Sequence, residues 1–172
     1  ERKKITIGFM GSMSHIPDLK FILPALINLI TKYPNRIQFK FWGIEPPVEI
    51  LPFSEIDLFI NEKRSYAEFA QYFQNQKADI VIAPLVANEF NSCKSAIKYL
   101  EYSACGLPGV YSKLKPYSDV IKDGKNGLLA GNLDEWIYCL SKLIEEPEFC
   151  YEIAENAQID IMKNWLLSEN SG

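Results

Sequence analysis

The stretch KSAIKYLEYSACGLP (94–108) carries Lys94, Lys98 and Glu101. On a helix, at about 100° per residue, the three fall within an arc of roughly 60°. The ammonium groups could hold an anion such as a phosphate, and the carboxylate could accept two hydrogen bonds from the vicinal hydroxyls of a sugar. The plain alternative is a solvated helix face with a Lys98–Glu101 pair worth about 0.2–0.5 kcal/mol. Lys94 and Lys98, four residues apart, slightly oppose helix formation, which argues that they serve something else. Ala96, Ile97, Leu100 and Ala104 make a separate apolar stripe, expected to be the core face. Ser92 is expected to cap this helix, leaving the amides of Cys93, Lys94 and Ser95 free to meet a phosphate. Asn91 belongs to the same candidate edge.

Two other stretches could join that chemistry. In GSMSHIPD (11–18), Gly11 permits close backbone approach, Ser12 and Ser14 offer hydroxyls, and His15 is the one imidazole of the chain. A helix starting here would favour an anion at its N-terminus. The stretch is neither a G-x-G-x-x-G fingerprint nor a P-loop, and an ordinary polar connection is the competing reading. In SKLKPYSDVIKDGKNG (112–127), Tyr117 follows a strand and could meet a ligand, and so could Asp119. DGKNG reads most simply as a turn.

The elements that must position these residues alternate along the chain. Strands are expected at KITIGFMG (4–11), RIQFKFWG (36–43), IDLFIN (56–61), ADIVIAPL (78–85) and PGVYS (108–112), with a short one inside 116–131. Helices are expected at 18–34, with Pro24 a candidate kink, and at 65–76, where Ser65 and Glu68 have capping-box spacing. Two more are expected at 133–146 and 147–166. This alternation predicts an α/β fold: a Rossmann-like, doubly wound parallel sheet with helices on both faces. Such sheets bind ligands beyond the carboxyl ends of their strands, so the loops after residues 11, 60, 84 and 112 are the places to look.

Composition narrows the functional classes. The chain has 172 residues, enough for one domain with a sizeable core, and is 48% hydrophobic and 23% charged. A net charge of -4 gives no general grip on nucleic acid, although a local basic pocket remains open. Its unbroken apolar runs are short of the roughly 20 residues of a membrane span. Cys93, Cys105, Cys139 and Cys150 have no C-x-x-C spacing, so neither a zinc site nor a disulfide framework is expected, and they read as reduced cytosolic thiols. Because the chain opens at Glu1, residues 1–172 are expected to be a single domain excised from a longer protein.

The order ADIVIAPL, FNSCKSAIKYLEYSACGLPGVYS, PYSDVIKDGKNGLLAG, LDEWIYCLSKLIEEP resembles the C-terminal domain of GT-B glycosyltransferases, specifically the retaining family 4 or "glycosyl transferases group 1" type. The resemblance covers about residues 4–147. It implies a nucleotide-sugar-binding domain, the C-terminal half of a GT-B fold, facing an N-terminal acceptor domain across a cleft. In that pattern Glu101 matches the glutamate that holds the donor ribose. The segment Ser92–Ser95 matches the one that meets the sugar and phosphates, and Gly11 matches the glycine after the first strand. The sequence departs from the pattern at three places. Cys93 stands where the family has its first glutamate, Ser12 where it has an arginine, and Pro17 near the place of a lysine. Lys94, Lys98 and His15 are the substitutes available to neutralise a leaving diphosphate, as in a divergent bacterial branch with G-S-x-x-H-x-x-D and K-S-x-x-K motifs.

The resemblance therefore implies transfer of a sugar from a nucleoside diphosphate sugar to a polysaccharide or lipid-linked acceptor, of O-antigen or capsule type. No metal or cofactor is implied, and any general base would come from the missing domain or the substrate, so the fragment alone is expected to be inactive. Expected donor phosphate and sugar contacts are Gly11, Ser12, His15, Asn91, Lys94, Ser95, Lys98 and Tyr117, with Glu101 on the ribose. The expected location is the cytoplasm, with peripheral attachment at the inner face of the membrane through the missing domain left open. Two rivals stand beside this reading: a nucleotide-sugar epimerase of the same architecture, and a non-catalytic nucleotide-binding α/β module.

Overall fold

The structure is a computed structural model and describes residues 3–58 and 65–166. Its strands are β1 (Ile5–Met10), β2 (Ile37–Trp42), β3 (Ser54–Asp57), β4 (Ile80–Ala83), β5 (Gly109–Ser112) and β6 (Leu128–Ala130). Its helices are α1 (Ile16–Lys32), α2 (Tyr66–Gln74), α3 (Glu89–Ser92), α4 (Ile97–Ala104), α5 (Leu133–Glu145) and α6 (Pro147–Ile161). The six strands form one parallel sheet in the order β3-β2-β1-β4-β5-β6. The order reverses between β1 and β4, so the loops leaving these two strands part in opposite directions and open a crevice.

Both faces of the sheet are covered, which is why its strands are apolar almost throughout. On one face α1 and α5 bury Leu19, Ile22, Leu26, Trp136, Leu140 and Leu143 against β-strand side chains such as Phe9, Phe39 and Val110. Each such aliphatic side chain contributes about 1.5–3 kcal/mol when fully buried. On the other face α2, α4 and α6 supply Phe73, Tyr99, Tyr102 and Ile161 against Trp42, Val81 and Tyr111. The described residues include one helical stretch, Met13–Lys32, whose 20 residues and mean hydropathy of 1.2 meet the length and composition of a membrane span, although its unbroken apolar runs are short. Here its apolar stripe, including Leu19, Ile22, Ala25, Leu26 and Leu29, is buried on the sheet.

One local expectation holds. Ser65 and Glu68 make the reciprocal capping box of α2. Asn132 caps α5 by accepting from the Glu135 amide. Pro24, the candidate kink, lies inside a helix that continues on both sides of it from Ile16 to Lys32. Others change. The third strand begins earlier, at Ser54, and the later part of its expected span lies outside the described residues. The last helix gives way at Met162 to a wider π turn reaching Leu166. DGKNG is more than a turn, because Asn126 is buried: its side-chain amide donates to the Tyr99 hydroxyl and to Asp160, and its carbonyl accepts from the Lys122 amide.

Helix α4 differs most from its sequence reading. Its buried face is Tyr99, Tyr102 and Ser103, whereas Ile97 and Ala104 are exposed and Leu100 is half-buried. Phenols win this face because their rings reach the sheet and their hydroxyls meet polar groups there. The Tyr102 hydroxyl accepts from the Met10 amide at 3.0 Å and donates to the Ile82 carbonyl at 3.2 Å. It thus bridges β1 and β4 where their ladder has ended. Its burial raises its pKa strongly, so it stays protonated and able to donate. The helix ends in a Schellman turn: the Leu107 amide donates to Tyr102 O, the Gly106 amide donates to Ser103 O, and Gly106 takes a φ of 72°.

Removing the Tyr102 hydroxyl leaves two buried backbone groups without their partner. Tyr102→Phe should therefore cost about 1–3 kcal/mol, read as a lower midpoint in urea denaturation followed by circular dichroism. A loss below about 0.5 kcal/mol would count against this bridge as a structural tie.

Candidate functional site

At the crevice, residues from three elements meet. Leaving β1, the chain turns at Gly11, whose amide donates to the Trp42 carbonyl. A Cβ on Gly11 would lie 2.8 Å from the Phe9 ring and 3.0 Å from His15 Cδ2, so the glycine makes room for the imidazole. The Ser12 carbonyl accepts from the His15 amide in a single 3-10 turn over Met13–His15, and the Ser12 and Ser14 hydroxyls lie 2.9 Å apart at the surface. His15 then stands edge-on to Phe9, with ring centroids 5.8 Å apart.

The centre of the site is a chain of side-chain hydrogen bonds. Asp18, in the first turn of α1 and only 2% exposed, accepts from His15 Nδ1 at 2.9 Å through Oδ2. Its Oδ1 accepts from the Val86 amide at 2.7 Å and from Asn91 Nδ2 at 3.3 Å. On the far side of the imidazole, Lys98 Nζ lies 3.0 Å from His15 Nε2 and 5.7 Å from the centroid of the Phe9 ring. A carboxylate only accepts, so Nδ1 carries the proton, and Nε2 is the acceptor for the ammonium. Burial works against the Asp18 charge, yet the hydrogen bonds from His15 and Val86, with the positive charge of Lys94, hold its carboxyl below the usual carboxylate range.

Glu101 follows Lys98 by three residues on the half-buried side of α4. Burial pushes its carboxyl up to about 7, against the opposing pull of Lys98. Burial and the neighbouring Lys94 push Lys98 down to about 8, against the pull of Glu101 and Asp18. In the interval between about 7 and about 8 the ammonium and the carboxylate are both ionised. Beside Glu101 a small recess of about 60 Å³ opens between α2 and α4, walled by Phe69, Phe73, Ala104 and Cys105. A larger cavity of about 370 Å³ lies at the opposite edge of the sheet, among Ile5, Asp79, Pro108 and Cys150, away from these charges.

The structure redistributes the residues singled out by sequence. Gly11, Ser12, His15, Lys98 and Glu101 border the crevice, and Lys94 acts electrostatically on both Asp18 and Lys98. Lys94 is not on the helix of Lys98 and Glu101, however. It lies in the link between α3 and α4, with its ammonium 5.0 Å over the Phe90 ring. Ser92 does not cap α4 but closes the four-residue α3, itself capped by Asn88. Helix α4 starts after Ala96, which offers no side-chain cap, so its first amides stay open to an external acceptor. Ser95 is exposed in the link. Asn91 is buried and spends its amide on Asp18 and on the Val86 carbonyl, which makes it a scaffold for the loop after β4. Tyr117 is only 3% exposed, its ring packed at 5.0 Å from Tyr111, so it is a core residue and not an exposed ligand contact. Asp18 was given no role by sequence reasoning. Its signal is the three-residue spacing from His15 across a helix start, which puts a carboxylate under the imidazole. Among the described residues no group of His, Cys, Asp and Glu could hold a metal ion.

A six-stranded parallel sheet in this order, with helices on both faces, is the Rossmann-like α/β architecture found as the C-terminal half of GT-B glycosyltransferases. The sequence pattern described as "Glycosyl transferases group 1" matches residues 4–146, and the chain belongs to that family. Among solved structures it is similar to the C-terminal domain of the group 1 glycosyl transferase LpcC from Francisella tularensis, with a TM-score of 0.66 and 19% identity over 95% of this chain and 87% of that one. It is also similar to HepE from Anabaena, solved in complex with UDP-glucose, with a TM-score of 0.66 and 16% identity over 97% of this chain and 46% of that one. WaaG, a glycosyltransferase involved in lipopolysaccharide biosynthesis, gives a TM-score of 0.70 and 16% identity over 98% of this chain and 45% of that one. The chain thus spans less than half the length of HepE and of WaaG. No curated protein sequence matches it.

The mutual influence of Lys98 and Glu101 has a direct readout. In Lys98→Met the Glu101 carboxyl loses the charge that opposes its burial, so it should titrate above about 7. In Glu101→Gln the Lys98 ammonium should titrate below about 8. Carbon-detected NMR titration of the two side chains reads both shifts, and unchanged midpoints would show that the two charges do not share one site.

Proposed function

We propose that this domain binds the nucleoside diphosphate sugar donor of a glycosyltransferase that transfers the sugar to a polysaccharide or lipid-linked acceptor, of the O-antigen or capsule type. The observation that carries the reading is the pairing of a half-buried ammonium with a half-buried carboxylate, one helical turn apart, at the switch point of the sheet. Charges are kept out of water at a cost, and a ligand that carries both anionic oxygens and hydroxyls offsets that cost at both positions. The diphosphate lies against Lys98, with Lys94, His15 and the open amides of α4 around it. The ribose diol donates to the Glu101 carboxylate. Family membership supports a glycosyltransferase, the UDP-glucose complex of HepE supports a nucleotide sugar, and the role of WaaG in lipopolysaccharide biosynthesis supports the acceptor class.

As the bond from the sugar to the diphosphate lengthens, negative charge grows on the leaving oxygen. Lys98, Lys94 and the α4 amides are the donors within the crevice that meet this charge, and such donors lower the barrier without a metal ion or cofactor. The acceptor and any proton acceptor for it belong to an N-terminal domain facing the crevice in the whole protein. The cytoplasm, where nucleotide sugars are made, is the matching compartment, with the acceptor reached at the inner face of the membrane.

A thermal-shift panel of UDP-, GDP-, dTDP- and CMP-sugars identifies the donor, and stabilisation by none of them would overturn the reading. With the best of these, Lys98→Ala should weaken calorimetric affinity by about ten-fold or more, the worth of one hydrogen bond to a charged group. Glu101→Ala should lower affinity for the ribose-bearing donor far more than for inorganic pyrophosphate, and equal losses would refute the ribose contact. Donor affinity should also fall below about pH 7, where Glu101 takes up a proton, and above about pH 8, where Lys98 loses one. A flat profile across both limits would exclude these two groups as the ionised contacts.

A further inference from the structure

The hydrogen-bonded chain from Asp18 to Lys98 does more than place an ammonium. Asp18 is almost wholly buried and its two oxygens are occupied by His15 Nδ1, the Val86 amide and Asn91 Nδ2. Its charge therefore fixes the tautomer of His15. The lone pair of Nε2 then faces Lys98 Nζ at 3.0 Å. Before a ligand arrives, a second proton on the ring would set an N–H against an ammonium, donor against donor.

A diphosphate changes that balance. Its oxygens accept from the Lys98 ammonium and draw it off Nε2, and their negative charge offsets the two lysines that oppose protonation of the ring. The groups in contact with His15 are Asp18 from α1, Lys98 from α4 and the Phe9 ring of β1. Lys94 from the α3–α4 link acts on both Asp18 and Lys98, Glu101 acts on Lys98, and the Ser12 and Ser14 hydroxyls belong to the same loop as His15. The Tyr117 phenol, near enough to feel Asp18 and Glu101, stays neutral. With the lysines neutralised by the ligand, the carboxylates prevail and favour an imidazolium.

We propose that Asp18 is a positioning residue which, through His15, lets the site take up one proton as a diphosphate binds, so that His15 adds a cation to those Lys94 and Lys98 supply. The proton comes from solvent and bonds to the Nε2 lone pair. No bond of the ligand breaks and no electron is transferred. The inference rests on the reading of the crevice as a diphosphate site.

Calorimetric titration of the chain with UDP-glucose at neutral pH, in two buffers of different ionisation enthalpy, counts the protons. The diphosphate of UDP-glucose is a diester with no group that titrates near neutrality, so every proton counted belongs to the protein. Glu101 and Lys98 also exchange protons near neutrality, and His15→Gln, which keeps both of them and Asp18, is the reference that isolates the share of the ring. The unaltered chain should take up close to one proton more than Asp18→Asn, in which the side-chain amide donates to Nδ1 and so places the ring proton on Nε2, facing Lys98. Asp18→Asn should also bind about ten-fold more weakly, since a charge-assisted contact is lost. His15→Gln should show the same loss of proton uptake, and it carries the test if circular dichroism shows Asp18→Asn unfolded. Proton counts equal in all three proteins, with binding that still depends on Lys98, would overturn the inference and leave the diphosphate site standing. If UDP-glucose does not bind, the same count is made with the UDP-, GDP- or dTDP-sugar that does; absence of binding by all of them, or binding indifferent to Lys98→Ala, would remove the site and the inference together.

Discussion

The crevice is organised by one buried carboxylate. Asp18 sits in the first turn of α1, and its partners come from the loop between β1 and α1 and from the loop after β4, two segments that diverge at the switch point. An ionised carboxylate out of water is tolerated only where donors surround it. Each donor is therefore held as firmly as the charge itself: the Val86 amide at the start of one loop, Asn91 in the short helix beyond it, and His15 in the other. The imidazole passes the constraint on to Lys98, so the position of an ammonium on α4 is set by a side chain 80 residues earlier in the chain.

Hydroxyls complete the frame where the backbone ladder cannot. The strands of an open sheet splay as they leave it, and their last amides and carbonyls face one another too far apart to pair. The Tyr102 hydroxyl spans that gap between β1 and β4. Ser112 does the same between the ends of β4 and β5, accepting from the Leu85 amide at 2.7 Å and donating to the Leu85 carbonyl at 3.1 Å. Both lie directly beneath the loops that carry the candidate ligand contacts, so the splayed edge is rigid where a ligand must be met.

The architecture was legible in the sequence because it rests on patterns of short range. Apolar runs ending in glycine at 11 and 43 mark strands, and the Ser65–Glu68 spacing marks a helix start. The sites of Lys98, Glu101 and His15 followed from that alternation, since it fixes which loops share an edge. What stayed hidden depends on contacts between distant segments. The stripe Ala96, Ile97, Leu100 and Ala104 has the right period for a core face, but the sheet beneath α4 offers unpaired backbone groups and an aromatic layer, and tyrosines satisfy both. The break between α3 and α4 was missed because the periodicity of 92–104 runs through it, while Asn88 caps the earlier turn. Tyr117 lies at the expected edge, yet the space below it is lined by Tyr111, and a ring is worth more there than in solvent.

The phenolic face of α4 also decides how the helix can move. An aliphatic stripe on a sheet slides or rolls with little change in energy, since one methyl contact replaces another. Tyr99 and Tyr102 instead engage fixed acceptors and donors on α6, the Asn126 turn and two strands. The helix is keyed to its seat in rotation and in register, and Lys98 and Glu101 inherit that fixed bearing. Drift in sequence on the outer face of α4 can therefore retune what the crevice holds, while a change on its tyrosine face would turn both charged groups away from it together.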